Sequence, residues 1–410
     1  MSDPSREELQ RVYDHVVKTY SHRENVTGVD VGFRYDKGKR TNQMAVRIHV
    51  REKIPEHALE AAEIFPKTID GVPIDVIQAV YTPHPQSSVL DPSSLEPDAL
   101  DTARDAIDRR RRFDTLQPGI SIGHVAVTAG TLGAFVYDRQ TSRRGILSNW
   151  HVLAGSNDAR PGDPIVQPGP KHGGRAPRDT VAYLERFLLD THGDAAFALV
   201  NESRQFDDTQ LETDIRITKV RQVRVGDVVS KSGRTTAVTR GLVEGIGQYT
   251  LTYPGVGARI IAGFKVVAEE DGNPNDLEIS SGGDSGSLWF AVADSHGVGL
   301  HFAGEQDTTP GEEHALACHL GDVLIQLDVT LEPTGIVPPP LWEPQTTMHA
   351  DLARSGRESD ITRMLLESVV RLTRILEHTM GNVALGATRE PEKAAQPRGK
   401  PRKAPRTKKP

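Results

Sequence analysis

A single cysteine, Cys318, stands among 410 residues, so no disulfide can form within the chain, and the fold must be held by packing, hydrogen bonds and charge. That scarcity points to a reducing compartment, and the expected location is cytoplasmic. Long apolar runs are also missing. No stretch reaches the roughly 20 residues needed to cross a bilayer, and the opening Met-Ser-Asp-Pro-Ser-Arg-Glu-Glu-Leu is too charged for a secretory signal. No membrane partner is expected. Basic charge is scarce outside one tail: Pro391 to Pro410 carries eight Lys or Arg against one Glu, a net +7, while the whole chain is at −7, which leaves the remainder at −14. So acidic a remainder argues against nucleic-acid binding by the folded part. The tail has no aromatic residue and reads as a disordered, solubilising extension.

The length implies more than one folded part. Residues 1–22 read as a helical arm with Leu9, Val12, Val16 and Tyr20 on one stripe. Residues 23–82 read as a small α/β module. Val29–Tyr35 and Met44–Val50 form a hairpin about Asp36-Lys37-Gly38-Lys39, residues 55–65 carry helix formers, and Val72–Val80 is a third strand. Residues 83–118 read as a linker, whose run Arg109 to Arg112 is expected to be a solvated face. From 119 to 330, short apolar strands alternate with Gly, Pro, Asn and Asp turns, the pattern of an all-β barrel or sandwich. Prolines mark a second linker over 331–358. Residues 359–381 predict an amphipathic helix, with Ile361, Leu365, Val369, Leu372, Ile375, Leu376 and Met380 on one stripe, suited either to self-association or to docking on the barrel. The basic tail fills 382–410.

Chemistry concentrates at Ile279-Ser-Ser-Gly-Gly-Asp-Ser-Gly-Ser-Leu-Trp289. Its glycines permit a tight bend just before a strand, which would expose Ser285 and aim the N–H groups of Gly283 and Ser285 at one oxygen, as an oxyanion hole requires. Alone, Gly-Asp-Ser-Gly is equally a plain turn. Two upstream segments break the tie: Ser148-Asn149-Trp150-His151 ends an apolar strand with a histidine, and Gly193-Asp194-Ala195-Ala196 opens another with an aspartate. A serine hydroxyl needs an imidazole to take its proton, and the imidazole needs a carboxylate to hold its tautomer.

In order, context and spacing the three segments resemble those of the chymotrypsin-like (trypsin-fold) serine proteases. Gly130-Thr-Leu-Gly-Ala-Phe-Val136 with Ser148 to Ala154 is similar to a branch of bacterial intracellular trypsin-like peptidases. The implied fold is mainly β, a trypsin-like double β-barrel flanked by the N-terminal α/β module and the C-terminal helix. The implied function is serine endopeptidase activity on protein or peptide substrates, with His151, Asp194 and Ser285 catalytic and Gly283 and Ser285 forming the oxyanion hole. The alternative is a catalytically silent barrel that grips an extended peptide, which separation of His151 from Asp194 would favour. The resemblance puts Ile279 at the base of the substrate pocket and Phe302, Ala303 and Gly304 along its wall, which implies apolar rather than basic specificity. It implies an N-terminal region ahead of the protease, either a prodomain or inhibitor that lends an edge strand to the cleft or a stability module. It also raises activation by insertion of a new N-terminus beside Asp284. Only Gly119-Ile120-Ser121-Ile122-Gly123 faintly echoes the required sequence, so no obligatory insertion is expected. Arg234, in Gly226 to Thr236, is at most a helper.

No cofactor or metal is expected. His192 lies too near Asp194 in sequence and reads as a surface residue, His296, His301, His314 and His319 lack zinc spacing, and Asp271 to Glu278 lacks the glycine and glutamate of a calcium loop.

Overall fold

In the computed structural model, which describes residues 4–36, 39–83, 107–269, 278–304 and 313–333, the first helix starts where the sequence places a cap. Ser5 accepts from the Glu8 N–H and Glu8 reaches back to the Ser5 N–H, a reciprocal capping box that opens α1 (Arg6–Tyr20). Leu9, Val12 and Val16 fall on one face and are buried, each worth about 1.5–3 kcal/mol. They pack with Val29, Val46, Ile48 and Val72 in a small core of their own.

The sheet beneath α1 contains β1 (Val26–Asp36), β2 (Lys39–Val50), β3 (Thr68–Ile69) and β4 (Val72–Gln78), followed by β5 (Thr82–Pro83). β1 and β2 pair around Asp36↔Lys39 as the turn chemistry implies. The helix expected over 55–65 is reduced to a short turn, Glu56–Ala58, with no buried residue; without an apolar face to bury, propensity alone does not sustain a helix this short.

The second group of strands is β6 (Thr115–Leu116), β7 (Ser121–His124), β8 (Gly130–Thr131), β9 (Ala134–Asp138) and β10 (Arg144–Ser148), then the single-turn α2 (Trp150–Leu153), then β11 (Pro164–Val166), β12 (Thr180–Asp190), β13 (Gly193–Val200) and β14 (Gln205–Phe206). The third group is β15 (Val228–Gly233), β16 (Ala237–Tyr253), β17 (Gly257–Val267), β18 (Leu288–Ala291), β19 (Gly297–Gly304) and β20 (His314–His319), closed by α3 (Leu320–Gln326) and β21 (Val329–Thr330). The protein is mainly β.

One sheet of eight runs β21-β9-β10-β13-β12-β11-β7-β8. In the other, β15-β18-β19-β20-β17-β16 closes on itself because β15 also pairs β16, which removes free edges along the ring. β16 is longer than the sequence pattern implied. Its first part pairs β15, its second part pairs β1 through Gly245↔Gly32 to Tyr249↔Gly28, and so the N-terminal sheet continues the ring.

That junction buries charge. Arg47 grips Asp30 through two hydrogen bonds of 2.6 Å and lies 3.3 Å from Glu244, which lies 3.1 Å from Lys265. Burial alone would raise the Asp30 pKa, but Arg47 and His49 outweigh it and hold the carboxyl far below its usual range. The Tyr81 hydroxyl, just ahead of β5, is 2.7 Å from His49 Nδ1.

Arg109 corrects one expectation. It is 3% exposed rather than solvated, and its guanidinium donates to Ser232 Oγ, the Gly233, Gly119 and Leu211 carbonyls and the Glu212 carboxylate. A buried guanidinium persists when its donors find this many acceptors. The expected helix at 359–381, the basic tail, nearly all of the 331–358 linker and most of the rejected calcium loop lie outside the described residues.

Candidate active site

Strand pairing brings the histidine and aspartate together. β10 and β13 are antiparallel with Ser148 opposite Ala196, so α2, immediately beyond β10, faces the start of β13. Asn149 Nδ2 donates to the Asp194 carbonyl at 2.7 Å. The His151 N–H donates to Asp194 Oδ1 at 3.2 Å, and His151 Nδ1 forms a short hydrogen bond with Oδ2. Asp194 is fully buried and accepts a further bond from the Tyr253 hydroxyl at 2.8 Å. Tyr253 escaped the sequence reading because it lies beyond the strand expected there. Its neighbour carboxylate has an effect in return: burial, then the charge of Asp194, drives the phenol pKa well above its ordinary value, so Tyr253 is a donor throughout the working pH range.

The serine bend is fixed from both sides. Thr131 holds it through its N–H, 2.8 Å from the Ser285 carbonyl, and its hydroxyl, 2.7 Å from the Gly283 carbonyl. Gly283 and Gly286 have φ of 104° and 96°, conformations glycine adopts without strain. A trans peptide points its N–H opposite its C=O, so the carbonyl bonds set the N–H directions. The Gly282 carbonyl accepts from the Thr235 hydroxyl at 2.8 Å, which orients the Gly283 N–H. The Asp284 carbonyl accepts from Ser287 N and Oγ, which orients that of Ser285. The same Thr131 joins the bend to the histidine side, since its carbonyl accepts from Ser148 Oγ at 2.7 Å, three residues before His151. Ser285 Oγ and His151 Nε2 are both buried and have no hydrogen-bond partner among the described residues.

Under the bend lies an ion pair the sequence reading missed. Lys231 Nζ is 3.1 Å from Asp284 Oδ2, and neither side chain is exposed. Asp284 also accepts from Thr235 N, Thr236 N, Thr236 Oγ1 and Ser281 N. Burial works against the charged carboxylate, yet Lys231 and Thr236 overcome it and hold its pKa far below the usual range. Ile120, in the segment weighed as a newly cut, inserting N-terminus, is fully buried within the chain, with its carbonyl accepting from the Leu132 N–H.

The proposed pocket residues fall into two groups. Phe302 and Ala303 are fully buried in the large core that also holds Leu300 and Leu316. Ile279 packs instead with Val223, Val229 and Trp289 in a second cluster, its carbonyl bonded to Thr239 Oγ1 at 2.8 Å. His192 is exposed and bonds Asp190, not Asp194. Among the described residues no cluster of three or more His, Cys, Asp or Glu side chains is arranged to hold a metal, and no helix is long and apolar enough to cross a membrane.

No family model matches the chain, and no curated protein matches it in sequence. Solved structures do. A glutamic acid specific serine protease matches at 20% identity over 53% of this chain and 100% of its own, with a TM-score of 0.40. Thermobifida fusca Protease A matches at 17% identity over 53% and 97%, with a TM-score of 0.39. A Cellulomonas bogoriensis chymotrypsin matches at 15% identity over 53% and 100%, with a TM-score of 0.38. The similarity is to chymotrypsin-like serine proteases, at low identity and over about half of this chain.

Proposed function

We propose that the chain is a serine endopeptidase of the trypsin-like kind, hydrolysing peptide bonds through an acyl-enzyme. The carrying observation is the grip of Asp194 on both the backbone N–H and Nδ1 of His151, with Nε2 and Ser285 Oγ left as the unpartnered buried polar ends. Ser285 attacks the carbonyl, its proton passes to His151 Nε2, and the Gly283 and Ser285 N–H groups receive the developing oxyanion. His151 then protonates the leaving amine, and water repeats the path to release the acyl group. Rotating the Ser285 side chain toward Nε2 breaks no existing hydrogen bond. The silent-binding alternative called for His151 and Asp194 to lie apart, and they are bonded.

The reading extends to the bacterial intracellular branch, on the Gly130–Val136 and Ser148–Ala154 segments, and to a reducing cytoplasm, where a lone buried thiol suits the fold. Asp284 already has its cation in Lys231, so activity requires no newly cut N-terminus. Ile279 and the Phe302–Ala303 pair lie in separate buried clusters, so the preference for an apolar side chain before the cut rests on the lack of an acid at position 279. Burying Lys or Arg there without a carboxylate would cost on the order of several kcal/mol.

Ser285→Ala should retain the wild-type circular dichroism spectrum and lose labelling by a fluorophosphonate probe; equal labelling of both proteins would refute the assignment of the nucleophile. Peptide-library profiling should show apolar residues before the scissile bond. A dominant Lys or Arg preference would show the pocket base to be elsewhere.

A further inference from the structure

A strand has two edges, and on β19 their occupants can be assigned residue by residue. One edge is taken by β20 from Gly299↔His319 to Gly304↔Ala315. The other is taken by β18 only as far as Leu288↔Leu300, and it continues through His301, whose carbonyl accepts from the Gly286 N–H at 2.9 Å and whose N–H donates to the Ser287 carbonyl at 2.9 Å. Beyond His301 this second edge has run level with the Ser285 bend. It is the place where an extended peptide would add as an antiparallel strand with its carbonyl near Ser285.

That place is filled by the chain itself. β5 pairs antiparallel with Ala303 and Gly304 through Pro83 and Thr82. Because β20 holds the opposite edge, β5 must lie on the edge that leads to Ser285. Pro83 has no N–H, so of the two described partners it is Thr82 that can exchange a reciprocal N–H···O=C pair, with Gly304. The preceding residue anchors the strand: Tyr81 is 2% exposed, bonds His49 and packs edge-on against Tyr249 and His314. His49 in turn lies 3.1 Å from Asp30, in the buried charge network where the N-terminal sheet joins β16.

We propose that Thr82 and Pro83 act as an inhibitory strand in cis, occupying the substrate-backbone edge of β19 so that an extended peptide must displace them to reach Ser285. This rests on the serine peptidase reading and gives the N-terminal module a role in it. A strand whose described residues offer one reciprocal pair is weak enough to be displaced, so the device sets a threshold for substrate and does not abolish activity.

The experiment uses the full chain with Thr82→Pro, which removes the pairing N–H, and Thr82→Ala, which keeps it. Two rates are read: fluorophosphonate labelling, in which the small probe needs only Ser285, and kcat/KM for an N-acylated tetrapeptide ester. Thr82→Pro should label at the wild-type rate and raise kcat/KM for the tetrapeptide on the order of tenfold, the factor that a lost pair of backbone hydrogen bonds represents. Thr82→Ala should behave as wild type. Equal tetrapeptide kinetics in all three labelled proteins would overturn the inhibitory strand while leaving the peptidase intact; absence of labelling in all three, wild type included, would instead refute the peptidase reading. If Thr82→Pro alone fails to fold, amide hydrogen exchange of the wild type decides. Saturation with a tetrapeptide aldehyde should deprotect the Thr82 amide, and unchanged protection would overturn the proposal.

Discussion

Replacing Lys231 with methionine keeps most of the side chain's volume and removes its charge, which leaves Asp284 ionised at a site with no exposed surface. Breaking a buried pair from one side costs about 3–5 kcal/mol, because the remaining charge must stay where water cannot reach it. Asp284 retains four donors, from Thr235, Thr236 and Ser281, so the lower end, about 3 kcal/mol, is expected. Over the folded part of a chain this long, unfolding entropy of about 2 cal/mol/K per residue makes that a fall of roughly 5 °C in melting temperature. On the proposed peptidase reading the loss should extend to chemistry, since Asp284 lies beside Ser285 and its side chain ties the bend to Thr235 and Thr236. Thermal denaturation and the fluorophosphonate labelling rate are measured on protein shown by intact mass to be uncut. A variant that melts within about 1 °C of wild type and labels as fast would refute the idea that Lys231 holds the bend. Wild type that labels only after a cut before Ile120 would refute the claim that Lys231 replaces a new N-terminus.

Gly283→Ala places a Cβ 1.8 Å from Arg234 Nη2 at a φ of +104°, where an L-residue is strained by about 1–3 kcal/mol; turning the Gly283 N–H away should slow labelling of folded protein by about 10²–10³-fold, and a wild-type rate would remove Gly283 from the oxyanion hole. Glu244 supplies a pH dependence. Burial would raise its pKa, but Lys265 and Arg47 lower it from 4.5 to about 2, so the folded state gains about 3 kcal/mol that is present above pH 4.5 and is lost as pH falls through about 2. Urea titrations between those pH values should show a shallower loss of stability for Glu244→Gln than for wild type, and parallel curves would show that Glu244 is not held by its two cations.

Much of the site is legible in one dimension because its parts are local. The glycines around Ser285, the apolar strand that leads into the helical turn carrying His151 and the strand that opens at Asp194 are each recognisable within ten residues, and chain order supplies their grouping. The same holds for the Ser5 and Glu8 cap and for the hairpin at Asp36 and Lys39. The expected helix over 55–65 fails for the opposite reason, since helix formers there have no apolar stripe to bury.

What the sequence hides are polar residues whose partners lie far along the chain. Lys231 sits in a strand reading Val-Val-Ser-Lys-Ser-Gly and looks like a solvent-facing position, Arg109 looks like one of four solvated arginines, and Thr82 looks like the last residue before a linker. Each acquires its role only when the sheet closes: Lys231 meets Asp284 53 residues away, Arg109 meets Ser232 123 residues away, and Thr82 meets Gly304. Side-chain alternation reports that a strand has two faces, but which face is enclosed, and which edge runs beside Ser285, is decided by the strands that pair with it from elsewhere in the chain.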